Sequence, residues 1–82
     1  MEKVQLINKL TEDINICEEY LKREVRLDLV LRILEELIDE IDEAKKKNIP
    51  LDDLEERVRI LYHRASTLIS LNEEETKNKS SP

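Results

Sequence analysis

The sequence predicts an all-α protein, an antiparallel helical bundle of three helices with up-down topology and at most a stub of a fourth. Three observations carry this. Apolar residues recur at alternating steps of three and four in three separate stretches, the period of one helix face. The 82-residue chain has no Gly, Phe or Trp and two Pro, so it lacks the turn residues that a β-sandwich or barrel needs roughly every 8–12 positions. Charged residues make up 41% and hydrophobic ones 39%, which suits helices with one dry and one wet face.

The first helix, expected over about residues 3–22, is marked by Ile7, Leu10, Ile14, Cys17 and Leu21, with Val4 and Leu6 widening its start. Continuing that register would place Glu24 and Asp28 in the apolar stripe, so it fails there. A bend or short loop around residues 22–26 follows from the phase slip. No Gly or Pro marks it, so one long bent helix also fits.

The second helix, about 27–47, carries Leu27, Leu31, Leu34, Ile38 and Ile41, with Val30, Leu37 and Ala44 beside them. That face is wide enough to touch two neighbours. Its end is well signalled. Lys45, Lys46 and Lys47 suit the negative end of the helix dipole. Asn48 can take the left-handed position after the helix, and Pro50 forbids continuation.

Asp52 followed by Glu55 reads as a capping box opening the third helix, about 51–71. Its stripe is the cleanest in the chain: Leu51, Leu54, Val58, Leu61, Ala65 and Leu68. Asn72 and Glu75 read as a second cap and box announcing a fourth helix, but nothing apolar follows. Residues 1–71 are therefore expected to form the bundle, and 72–82 a polar, disordered tail.

The formal charge is −6, from 14 basic and 20 acidic residues, which argues against nucleic acid as a partner. Phosphate loops, dinucleotide fingerprints and nucleophile elbows all need Gly, so no cofactor of those classes is expected. A single Cys makes no intrachain disulfide and suits a reducing cytosol. The N-terminal residues lack the apolar core of a signal peptide, and no apolar run approaches the roughly 20 residues of a membrane span. These features point to a cytoplasmic location. A chain this small, without large aromatics, builds a thin core, so self-association or docking on a partner would help it.

Candidate chemistry is sparse. Glu36, Glu40 and Glu43 share a face and invite a Mg²⁺ site, but they are expected on the solvated side of the second helix, so no metal is assigned. His63 has Ser66 and Thr67 three and four residues on, but a helix middle offers no oxyanion hole, so no catalytic residue is assigned and the chain is read as not an enzyme. One His and one Cys do not make a zinc site. Cys17 reads as a small core residue, with an interchain disulfide as the alternative. Arg57, Arg59, His63 and Arg64 either meet an acidic partner or pair with Asp53, Glu55 and Glu56 within the helix. Tyr20 and Tyr62 are expected to flank the core with their hydroxyls in water.

Two blocks carry a family resemblance. The first is Gln5-Leu6-Ile7-Asn8-Lys9-Leu10-Thr11-Glu12-Asp13-Ile14-Asn15-Ile16. The second runs from Val30-Leu31-Arg32-Ile33-Leu34-Glu35 through Ile49-Pro50-Leu51 to Arg57-Val58-Arg59-Ile60-Leu61-Tyr62-His63-Arg64-Ala65. Over roughly residues 5–75 the chain resembles the immunity proteins of class II bacteriocins, the enterocin A immunity group. The resemblance implies a four-helix bundle in the cytosol of a Gram-positive bacterium, protecting the producer from its own pore-forming peptide. Its partner would be a sugar-phosphotransferase permease with bound bacteriocin, met peripherally at the inner face of the membrane. Family specificity lies mainly in the C-terminal half, here Arg57, Arg59, Tyr62, His63 and Arg64. The chain departs from the family where a fourth helix should start, at Asn72, so the fourth-helix contacts and the monomeric state do not carry over. The function expected is bacteriocin immunity. The alternative is a homo-oligomeric helical adaptor or regulator, a homodimer at its simplest. A third reading, a Mg²⁺-dependent all-helical pyrophosphohydrolase, rests on the Glu36–Glu40–Glu43 face alone.

Overall fold

In the computed structural model, which describes the backbone of residues 2–80 and the side chains of residues 3–72, the chain forms three helices. They are α1 (Glu2–Arg23), α2 (Leu27–Lys46) and α3 (Asp52–Ser80). Each helix packs on the other two; α2 and α3 share the largest interface, α1 and α3 the smallest. The expected three-helix bundle is what forms, with no strand among the described residues.

The α1 stripe buries as its spacing predicts: Leu10, Ile14, Cys17 and Leu21 are all in the core, and Ile7 borders it. Leu51, just before α3, and Val58, Leu61 and Ala65 on it are buried, with Leu54 and Leu68 at the edge. On α2 the buried set is Leu27, Val30, Leu34, Leu37, Ile41 and Ala44, while Leu31 and Ile38 are only partly covered. The centre of this face is therefore rotated from the expected row onto the neighbouring one. The reason is that α2 lies against both other helices, and the middle of its wide face points into the space between them. Among the described residues, no polar or charged side chain is buried. Burial drives this core, and each fully covered Leu or Ile contributes about 1.5–3 kcal/mol of transfer free energy.

Both connections are made without Gly. Residues 24–26 form a loop, which decides between the two readings of the phase slip. At the end of α1, Glu24 N–H donates to Leu21 C=O at 3.0 Å and Val25 N–H to Tyr20 C=O at 3.1 Å. This is a Schellman motif, with Glu24 in the left-handed region at φ 55°. Arg26, at φ 52°, then caps α2 with its carbonyl, which accepts from Val30 N–H at 3.0 Å. The end of α2 repeats the device, with Asn48 at φ 63° and Ile49 N–H donating to Ala44 C=O at 3.0 Å. Asn tolerates this conformation better than Glu does.

Two expectations near α3 are corrected. Asp52 is not the cap of α3. The first helical bond runs from Glu55 N–H to Leu51 C=O at 2.8 Å, so Leu51 holds the cap position. The Glu55 carboxylate goes to Lys45 on α2 instead of closing a box, because that ammonium lies across the interface. The acids Asp52, Asp53 and Glu55 still sit in the first turn, where the helix dipole favours them. Nor does a new helix open at Asn72. It lies inside α3, whose backbone stays helical through Ser80, so the stretch expected as an irregular tail continues the helix. Glu, Lys and Thr at these positions offer no Gly or Pro to stop it. The four-helix architecture implied by the resemblance is thus replaced, among the described residues, by three helices with a long third. Residues 81 and 82 lie outside the described residues.

Candidate protein-binding surfaces

The five residues singled out on α3 do not form one patch. A helix turns about 100° per residue, so Arg57 and Arg64 share one flank and Arg59 lies well round from both. Arg57 faces α1, where its guanidinium donates to the Glu18 carboxylate and to Asn15 Oδ1 at 3.3 Å. Arg64 is exposed beside an open groove of about 590 Å³ between α1 and α3, with Leu21, Leu61 and Leu68 as its floor and Glu18, Glu24 and Lys22 on its rim. Arg59 lies on the α2 side near Asp42 and Glu55. Tyr62 packs partly buried against the core, as expected, and His63 points to solvent.

The ion pairs are spread over the surface, two of them joining different helices at the α2–α3 and α1–α2 borders. Lys45 Nζ reaches Glu55 Oε2 at 2.6 Å. Hydrogen bonding and charge from Lys45, aided by Arg59, hold the Glu55 carboxyl below its ordinary range. Arg59 lies four residues on from Glu55 along the same helix, close enough for its charge to act on that carboxylate. Lys9 on α1 donates to Glu40 Oε1 on α2 at 2.8 Å, and the bond raises the Lys9 pKa, with Asp13 and Glu36 adding to it.

Glu40 is accordingly not on the outer face opposite the core. It is partly buried at the α1 edge of α2, because the apolar face of α2 is wide enough to bring its border residues against α1. Glu43 meets Lys46 at 3.4 Å within α2. Among the described residues, no three His, Cys, Asp or Glu side chains are grouped so as to hold a metal ion. The Thr67 hydroxyl donates to the His63 backbone carbonyl one turn earlier at 2.9 Å. Cys17 is a free thiol, wholly enclosed, and burial pushes its pKa up to about 11. A disulfide to another chain is out of reach of this folded state.

Several apolar side chains stand outside the core. Ile16 is 46% exposed and Leu29 36%, both near the α1–α2 loop; Ile60 is 59% and Leu71 50% exposed on α3. Ile16 and Leu29 fall between the apolar stripes, so periodicity alone does not single them out. The signal available in the sequence was their apolar character at non-stripe positions. No described helix is long and apolar enough to cross a membrane. Comparison with known proteins finds no family model, curated protein or solved structure that matches this chain.

Proposed function

We propose that this chain is a small helical interaction protein, a self-associating adaptor or regulator that works by surface contact and not by chemistry on a substrate. The observation that supports it is the distribution of polar and apolar groups. Among the described residues the core is wholly apolar, the ion pairs are dispersed over the surface, and large apolar side chains remain on the α1–α2 flank. Adjoining exposed apolar residues suit association rather than isolation. Sedimentation at tens of micromolar tests the reading: an assembly larger than one chain is expected, and a strict monomer sinks it.

A second reading is bacteriocin immunity in the cytoplasm, at the inner face of the membrane, through a permease that holds the bacteriocin. It is favoured by the two sequence blocks and by the solvent-facing Arg59, His63 and Arg64 on the helix where that resemblance puts specificity. Expression in sensitive bacteria should raise survival against at least one class II bacteriocin. Unchanged killing by a full panel ends this reading.

A further inference from the structure

The α1–α2 flank carries a graded pattern. Steps of four and three place Lys9, Asp13, Ile16, Tyr20 and Arg23 in one row on α1. The Lys9–Glu40 ion pair shows that this row borders α2. On α2, Leu29, Ile33, Glu36 and Glu40 form the facing row, and Arg26 precedes it in the loop as the N-cap residue. The two helices run antiparallel, so that one ion pair sets the register of the rest. Asp13 lies level with Glu36, Ile16 with Ile33 and Tyr20 with Leu29, while Arg23 ends α1 and Arg26 sits in the loop that joins the two helices. Asp13 and Glu36 both act on the Lys9 ammonium, as neighbours in this register should.

From the loop outward, the flank is first basic, then apolar, then acidic. Arg23, Arg26 and Glu36 are exposed, and Asp13 is partly so. In the apolar middle, Ile16 and Leu29 are open to water and Tyr20 and Ile33 are half covered. The acidic and basic levels lie at equal distances on either side of the middle, about 7 Å along the axis. A twofold rotation about the middle therefore carries the basic end onto the acidic end. A partner of one charge sign would match only one end, and a parallel copy would set like on like. An antiparallel second copy matches both ends and covers the apolar centre.

We propose that this flank is a homodimer interface, in which two α1–α2 hairpins pack antiparallel across a twofold axis near the level of Ile16 and Tyr20. Arg23 and Arg26 of each copy face Asp13 and Glu36 of the other, Ile16 packs on the other copy's Tyr20, and Leu29 packs on its Ile33. The contact is isologous, so it closes at two chains and builds a four-helix layer without a fourth helix from either chain. Arg23 now pairs with Glu19 at 3.2 Å, but both groups are largely exposed, so exchanging that partner costs little. This interface rests on the self-associating reading above and specifies its geometry.

Charge reversal tests it. Sedimentation equilibrium is run on the full chain, on Asp13→Arg/Glu36→Arg, on Arg23→Glu/Arg26→Glu, and on an equimolar mixture of the two variants. The wild type should dimerise. Each variant alone should dimerise about tenfold or more weakly, since its flank carries one sign, and the mixture should recover a heterodimer. A dimeric wild type whose two variants dimerise equally well overturns this interface while leaving self-association standing. A monomeric wild type overturns both. Circular dichroism checks that the variants remain helical. If the reversals unfold the chain, Ile16→Ser/Leu29→Ser takes their place, because both side chains already face water. Its weakened dimer is expected, and an undiminished one overturns the interface.

Discussion

Arg57 on α3 donates to the carboxylate of Glu18 on α1, and its second contact, Asn15 Oδ1, lies one turn away on the same helix. The pair ties together the two helices that share the smallest interface. Both side chains remain more than 40% exposed, so water screens the pair and its worth is modest. We expect Arg57→Ala and Glu18→Ala to show a coupling of about 0.5 kcal/mol in a double-mutant cycle followed by urea unfolding. Additive single effects would mean that the clasp does not form in solution.

The centre of the α2 face gives a sharper contrast. Leu37 is 1% exposed, while Leu31 lies partly open at the edge of the core. Leu37→Ala should cost about 2–5 kcal/mol, and Leu31→Ala roughly half as much. Equal losses, or the reverse order, would restore the row that sequence spacing favoured.

Glu24 holds the left-handed position that ends α1, where a side chain is a burden and Gly is not. Glu24→Gly is expected to stabilise the protein by about 1 kcal/mol, which in a domain of this size raises the melting temperature by about 4–8 °C. A lower melting temperature would show that this residue does not adopt the left-handed backbone.

Cys17 makes stability depend on alkaline pH. Its folded pKa of about 11 lies above the ordinary value of 9.0. The folded chain therefore holds the thiol proton more tightly than the unfolded chain does. This contribution is complete below pH 9 and is lost as pH rises from 9 toward 11. At about pH 10.5 the loss is about 2 kcal/mol relative to neutral pH. Cys17→Ala should lack it, so the unfolding free energies of the two proteins are compared across that range. Parallel pH profiles would show that Cys17 is already ionisable in the folded state. Slow alkylation of the thiol at neutral pH is the companion result expected.

Replacing Leu61 by Asp puts a charge into the buried stripe of α3 and should abolish the cooperative melt. An unchanged far-UV circular dichroism signal and melting temperature would contradict the placement of α3.

The stripes on α1 and α3 were legible in the sequence because a helix that buries one face must repeat apolar residues at its own period. The end of α2 was legible too, since three Lys, Asn48 and Pro50 each have a local reason to stop a helix. Other features needed the third dimension. The row of α2 at the centre of the core depends on how α1 and α3 straddle it, which spacing within α2 alone does not reveal. Glu55 was read as a capping residue because local geometry allowed it, but Lys45 from another helix claimed its carboxylate. Arg57 looked like one member of an arginine group, yet α1 supplies its acceptors from about forty residues away along the chain. Local residues determined the bounds of α1 and α2 and the start of α3 to within a turn, but not how far α3 runs. Which charges stay exposed, and which apolar side chains line a common flank, was settled by packing between segments distant in sequence.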